Sequence, residues 1–240
     1  MIKLFGFGPA FGVPDPSSFV MKVDCYLRMA AIDYELDLSA ANLQKAPKGK
    51  LPYIEQDGNT LADSQFILNA LDEKYRQPLD SWLTDEQRAW SVLATKSLDE
   101  NLYWCLVYSR WIDDESWPLT KAAFFDVLPP VVRNIVPIIA RRSVRKNLFG
   151  HGMGRHNAAE IADIADQTLM ALSLVLADKP YFMGDKPCNL DATAFGLLSL
   201  FALTTTRNTM TDLILKYDNL MQYCRRNAEQ YYPGEFEAVA

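Results

Sequence analysis

The chain has 240 residues, 49% of them hydrophobic and 22% charged. That balance excludes a wholly disordered or collagen-like polymer and allows one large domain or two small ones. Lys and Arg number 24 against 30 Asp and Glu, a net charge of −6, and the first eighty residues already carry 8 basic and 11 acidic side chains. With neither half basic, a nucleic-acid reader or a polybasic membrane anchor would need a local patch. The four cysteines, Cys25, Cys105, Cys188 and Cys224, contain no Cys-x-x-Cys pair, and nothing in their spacing suggests a metal knuckle or a secreted disulfide frame. The opening residues read as a mature strand and not as a signal peptide. The longest candidate span, Val131 to Ala140, is interrupted by Arg133, Asn134 and Pro137 and falls short of the ~20 apolar residues that cross a bilayer. A reducing cytoplasm is the expected compartment.

Ile2 to Phe5 is a short apolar run before a stretch rich in Gly and Pro, which predicts a buried strand and a loop. From Ser17 onward Phe19, Val20, Val23, Tyr26, Leu27 and Ala30 recur at helical steps. Tyr34 to Leu38 alternates as a strand does. Leu51 to Glu55 predicts a further strand, Asp57-Gly58 a hairpin turn, and Thr60 to Ala62 the return strand. Ser64 opens a helix with Ile67, Ala70, Leu71 and Tyr75 on one face. Residues 77–81 read as a linker.

Beyond residue 81 no segment alternates with period two. Thr84, with Glu86 and Gln87 in the following turn, predicts a capped helix reaching Tyr108. Shorter helices are expected at Trp117–Phe125 and Val131–Lys146, divided by Pro129-Pro130. Asn157–Ala177 is an amphipathic helix. Asn189–Leu203 is apolar nearly all round, so it should be the buried centre of a helical domain. Leu213–Tyr217 and Leu220–Tyr232 complete the chain. The fold class expected is a small α/β unit, residues 1–77, followed by an all-α unit, residues 84–240.

Several separated motifs now agree in order and spacing. Leu51-Pro52 before a strand, Asp63-Ser64 opening a helix, and Phe182-Met183-Gly184-Asp185-Lys186-Pro187 ahead of Asp191-Ala192-Thr193 resemble the cytosolic glutathione transferases. Ala46 to Ile54, Leu102-Tyr103-Trp104 with Tyr108-Ser109-Arg110-Trp111, and Gly152 to His156 are similar to a bacterial branch related to metaxin and failed-axon-connections proteins. The resemblance covers nearly the whole chain. It implies a thioredoxin-like glutathione-binding domain, a helical domain carrying a hydrophobic substrate site, and pairing as a homodimer.

Such an enzyme must stabilise the glutathione thiolate, and lowering a thiol pKa by ~2 units corresponds to ~2.7 kcal/mol. A hydroxyl donor at a helix N-terminus supplies that stabilisation. Ser17 and Ser18 occupy such a place. In serine-type relatives the active residue lies five before a basic helix residue, and counting back from Lys22 gives Ser17, with Ser18 second. Read from the residues alone, either serine is equally a helix cap. The resemblance makes Pro52 a cis-proline presenting the Leu51 backbone to the cysteinyl group. Asp63 and Ser64 would hold the γ-glutamyl end at a helix N-terminus, with its free N–H groups. Lys50, and less decisively Lys48, would face the glycyl carboxylate.

Trp104, Tyr108 and Trp111 recur at i, i+4 and i+7 and would wall a hydrophobic electrophile, with Phe11 opposite. The same stripe is also what an ordinary core seam would show. Arg110 could polarise a substrate, though nothing in the sequence demands it. Asp191 should accept backbone N–H groups at the start of the central helix, with the capping box either incomplete at Cys188 or taken over by Asn189. Arg141 to Lys146 is a basic cluster most simply read as a solvated face. No metal or cofactor is expected beyond glutathione as co-substrate. The dinucleotide, phosphate-loop and hydrolase-elbow patterns are absent from the sequence. The expected activity is conjugation of glutathione to a hydrophobic electrophile. The alternative is a metaxin-like binding or scaffold protein that keeps the fold without turnover.

Overall fold

The computed structural model describes residues 1–75, 79–126 and 128–237. The first part runs β1 (Ile2–Gly6), α1 (Ser18–Met29), β2 (Tyr34–Leu38), α2 (Asn42–Lys45), β3 (Tyr53–Gln56), β4 (Asn59–Ala62) and α3 (Ser64–Tyr75). β1 is an inner strand in a sheet ordered β2-β1-β3-β4, and its Ile2, Leu4 and Phe5 are buried. α1 carries the chain back across the sheet, so β2 joins β1 in parallel, while β3 and β4 follow antiparallel. Asp57 and Gly58 close the β3–β4 hairpin at φ 52° and 77°, the left-handed backbone that a two-residue turn requires. The single-turn α2 was not expected from the sequence. Its Asn42 donates through Nδ2 to the carbonyls of Gly6 (3.2 Å) and Asp37 (2.8 Å), tying the β2–β3 connection to the sheet. This is the thioredoxin-like arrangement.

The helical part comprises α4 (Asp85–Ser97), α5 (Tyr103–Trp111), α6 (Trp117–Phe125), α7 (Pro130–His151), α8 (Ala158–Leu176), α9 (Asn189–Ala202), α10 (Thr209–Asp212) and α11 (Asp218–Tyr231). Thr84 caps α4 reciprocally with Gln87. The expected single helix from Thr84 is interrupted by a π-helical turn at Leu98–Leu102 and then continues to Trp111. Asp99, in that turn, meets the buried Lys22 of α1 (Nζ to Oδ2, 2.8 Å), and Lys22 also donates to Gln65 of α3 (3.1 Å). π turns of this kind bring side chains into positions a regular helix does not offer. α7 runs five residues past the expected end because the buried Leu148 holds its last turns, and Gly152 at φ 108° closes it.

The expected linker at 77–81 falls partly on residues 76–78, which lie outside the described residues. Leu79–Trp82 form a 3₁₀ turn that is anchored, not free. Trp82 donates through Nε1 to the Pro187 carbonyl (3.2 Å), and Asp80 accepts the Asn189 N–H (2.7 Å). α9 is the buried central helix, with every residue from Leu190 to Ala202 buried. At its start Cys188 is the N-cap, and the Asp191 carboxylate reaches back to its N–H (2.9 Å) and to the N–H of Phe182 (2.9 Å). The capping role therefore stays at Cys188, because what Asp191 needs there is a backbone N–H. Asn189 takes no capping role, its Nδ2 donating instead to Asp72 (2.9 Å).

The two parts meet where α9 crosses α1. A Cβ added at Gly196 would lie 2.7 Å from the Lys22 backbone nitrogen and 2.9 Å from the Ser18 carbonyl oxygen, so the crossing admits no side chain. Gly196→Ala is expected to cost about 1–3 kcal/mol of stability by overpacking and to lower Tm by several degrees in scanning calorimetry. An unchanged Tm would mean that the helices separate without loss.

Candidate active site

Three loops leave one edge of the sheet. Phe5 of β1 pairs with Tyr53 of β3, which pairs with Ala62 of β4. The loop after β1 leads to Ser17, the turn before β3 holds Leu51-Pro52, and Asp63-Ser64 follow β4. Val20, in the first turn of α1, shares a buried cluster with Phe5, Ala46, Leu51, Tyr53 and Ala62. The sequence-selected Ser17, Ser18, Leu51, Pro52, Asp63 and Ser64 are thus brought to one place.

Ser17 is the N-cap of α1, its Oγ accepting the Val20 N–H at 3.3 Å. A hydroxyl that accepts in this way still has its own proton to donate. Ser18 is buried one residue further in. The Leu51–Pro52 peptide is cis. The β1–β3 ladder ends at Tyr53, so Leu51 lies beyond the paired register. Asp63 sits at φ 87°, a region that costs a non-glycine residue energy and that clusters at ligand sites. Its Oδ1 accepts the Gln65 N–H (3.2 Å) and its Oδ2 lies 3.9 Å from Lys48 Nζ. Ser64 begins α3 and is buried. Lys50 is exposed beside the proline turn, whereas Lys48 also lies over the Phe66 ring.

The residue that sets Ser17 was not among those selected. Asp15 is buried and accepts three backbone N–H groups, from Phe7 (2.7 Å), Gly8 (3.0 Å) and Ser17 (2.8 Å). Arg110 reaches the same loop from α5. Its Nη1 donates to the Pro16 carbonyl (2.7 Å) and its guanidinium lies 4.9 Å over the Phe11 ring. Burial pushes the Arg110 pKa down to about 10, with Tyr103 and Asp15 opposing that shift. Arg110 is thus a support beneath the serine loop. An Asp between two prolines reads as an ordinary turn residue, which its bond to the Ser17 N–H two positions on also is, and the two partners that tie it to the end of β1 lie eight and seven positions back, beyond any local signal.

The aromatic stripe divides. Trp111 stacks on Phe124 of α6 (5.7 Å), and Phe124 also meets Phe11 and Phe7, each at 5.9 Å. Phe11 and Trp111 therefore join one aromatic wall through Phe124, which the sequence reading did not select. Trp104, two turns earlier on the helix, stacks instead on His151 at the end of α7 (4.7 Å). Tyr108 is half-buried and packs on the main core between them. Trp104 and Tyr108 are thus brought to the seam with the core and α7, and not to the Phe124 wall. A groove of about 490 Å³ opens between α3, α4 and α9, its lining including Gln65, Asp72, Asp80, Ser91 and Asn189. Ser17 does not line it. Among the described residues no three His, Cys, Asp or Glu side chains gather as a metal set, and no helix is long and apolar enough to cross a membrane.

Comparison with known proteins bears on this geometry. The glutathione S-transferase N-terminal domain family model matches residues 18–116, and the glutathione S-transferase C-terminal domain model matches residues 165–227. The isoprene-epoxide–glutathione S-transferase of Rhodococcus sp. (strain AD45) is 33% identical over 240 residues, covering 96% of this chain and 99% of its own length. The chain belongs to the glutathione S-transferase family. Failed axon connections of Drosophila melanogaster is 31% identical over 97% of this transferase-family chain and 58% of its own length. Human metaxin-2 is 23% identical over 88% and 81%. The fold is shared with solved structures at lower identity. A β-etherase from Sphingobium sp. strain SYK-6 superposes with TM-score 0.65 at 16% identity over 95% and 94% of the two chains. A glutathione S-transferase from Methylobacterium radiotolerans in complex with glutathione sulfonate gives 0.63 at 16% over 100% and 96%.

Burial raises the Asp15 pKa from 3.8 to about 7, against the opposing pull of the Ser17, Gly8 and Phe7 N–H groups. The folded chain therefore holds this proton more tightly than the unfolded one. The resulting stability is fully present below about pH 4 and is lost as the pH rises towards about 7. Asp15→Asn is expected to remove this downward slope. It should also destabilise the loop, because the amide nitrogen would face a backbone N–H on one side. Urea titrations at a series of pH values measure both effects, and an unchanged slope would assign the proton to another group.

Proposed function

We propose that this chain is a serine-type glutathione transferase, residues 1–77 holding the tripeptide and residues 84–240 contributing to the hydrophobic site. The observation that carries the reading is the convergence of Ser17, Leu51-Pro52 and Asp63-Ser64 at one edge of the sheet. The Leu51 N–H and C=O lie past the end of the ladder and suit antiparallel pairing with the cysteinyl backbone. The N–H groups that open α3, together with the Ser64 hydroxyl, suit the γ-glutamyl carboxylate, and Asp63 suits its amino group. Lys50 faces the glycyl carboxylate. The Ser17 hydroxyl donates to the sulfur while the start of α1 adds its positive end.

In this mechanism the glutathione thiol releases its proton to solvent and the thiolate attacks an electrophilic carbon. The name of the Rhodococcus relative points to small epoxides as the first class to test. With an epoxide the S–C bond forms, the strained C–O bond breaks, and the alkoxide takes a proton from water. Phe7, Phe11, Trp111 and Phe124 provide the apolar wall that holds such a substrate against the sulfur. A cytoplasmic homodimer is the form in which we expect the chain to act, and a light-scattering mass checks the pairing.

Glutathione at about a hundred times its Kd should stabilise the chain by ~2.7 kcal/mol, seen as a rise in Tm. No rise at millimolar glutathione would sink the site. Ser17→Ala is expected to keep that rise and to lower kcat/KM toward a small epoxide on the order of a hundredfold, the usual cost of removing one donor at a developing or stabilised anion. The relatives named failed axon connections and metaxin support a second reading, a binding protein without turnover. The two readings separate by thiolate absorbance in the glutathione complex, which the second does not require.

A further inference from the structure

α7 inverts the usual surface pattern. Pro137 and Leu148 are buried and Val144 packs on the core, which fixes the inner face. The outer face begins with Val131 (73% exposed), Ile135 (53%), Ile138 (68%) and Ile139 (62%). At 100° per residue these four fall within one stripe. The same stripe continues into Arg142, Arg145 and Lys146, all exposed, and ends at the exposed Phe149. Leu119 of α6 adds a further exposed apolar side chain. Arg141 is directed inward, donating to the Trp111 and Ile112 carbonyls and pairing with Asp114. The 22 residues of α7 contain no Asp or Glu, in a chain whose net charge is −6.

An apolar end followed by unneutralised cations on one face matches the layering of an anionic bilayer surface, acyl boundary below and phosphates above. A second copy fits poorly. α7 contains no Asp or Glu, so a copy of the same helix would bring Arg142, Arg145 and Lys146 no opposite charge. α6 and α7 also lie between the two segments matched by the family models, 18–116 and 165–227.

We propose that α7 is an interfacial helix that docks the chain on anionic phospholipid, its Val131–Ile139 end dipping beneath the headgroups while Arg142, Arg145 and Lys146 lie among the phosphates. The proposal is independent of turnover at Ser17. Flotation of the full chain with vesicles of phosphatidylcholine, with and without phosphatidylglycerol, tests it. The chain should float with the anionic vesicles on the order of a hundredfold better than with neutral ones, and added salt should weaken the association. The triple variant Arg142→Glu, Arg145→Glu, Lys146→Glu should lose the preference, and Ile135→Asn with Ile138→Asn should lose binding at low salt. Circular dichroism checks that both variants stay folded. The proposal is overturned if wild type fails to float with either vesicle, or if the folded variants float as it does. It is also overturned if light scattering gives a dimer for wild type and a monomer for Ile135→Asn with Ile138→Asn, since the face would then belong to a second copy.

Discussion

One buried carboxylate fixes the site. Asp15 gathers the N–H groups of Phe7, Gly8 and Ser17, three donors that the loop between β1 and α1 would otherwise leave unpaired. Gly6 makes this possible, since a Cβ there would come within 2.7 Å of Asp15 Oδ2. The backbone of Ser17 is therefore set before its hydroxyl does anything. Arg110 then ties the same loop to α5. A residue of the helical part supports the serine of the α/β part, so neither part alone holds the arrangement.

That dependence runs through the junction of the two parts. Gly196 lets α9 lie directly on the backbone of α1 at Lys22, whose buried side chain joins Asp99 and Gln65. α1 is held from the sheet, from the central helix and from the π turn together. The start of such a helix is a firm platform for the Ser17 hydroxyl at its N-cap.

Much of this was legible in the sequence because it is local. Strand alternation, the Asp57-Gly58 turn, the Thr84 cap and the apolar run of α9 each fix their element from neighbouring residues. Ser17, Leu51-Pro52 and Asp63-Ser64 were legible through motif order. What escaped depends on distant partners. Asp15 ties the loop down through the Phe7 and Gly8 amides eight and seven positions back, just after β1, and α2 exists because Asn42 reaches Gly6 and Asp37. The helical spacing of Trp104 and Trp111 correctly put them on one face, but α6 and α7 decide that one meets Phe124 and the other His151. Cys188 shows the opposite case. The expected hydroxyl cap is missing there, yet the turn forms, because the Asp191 carboxylate addresses the main chain.

Phe124 belongs to α6, which lies outside both segments that the family models match. The candidate site and the aromatic cluster thus share the β1–α1 loop, which carries Phe7 and Phe11 as well as Ser17, while Phe124 comes from α6. Replacing Phe124 alone would open the cluster around Phe7, Phe11 and Trp111 without touching the packing of α9 on α1.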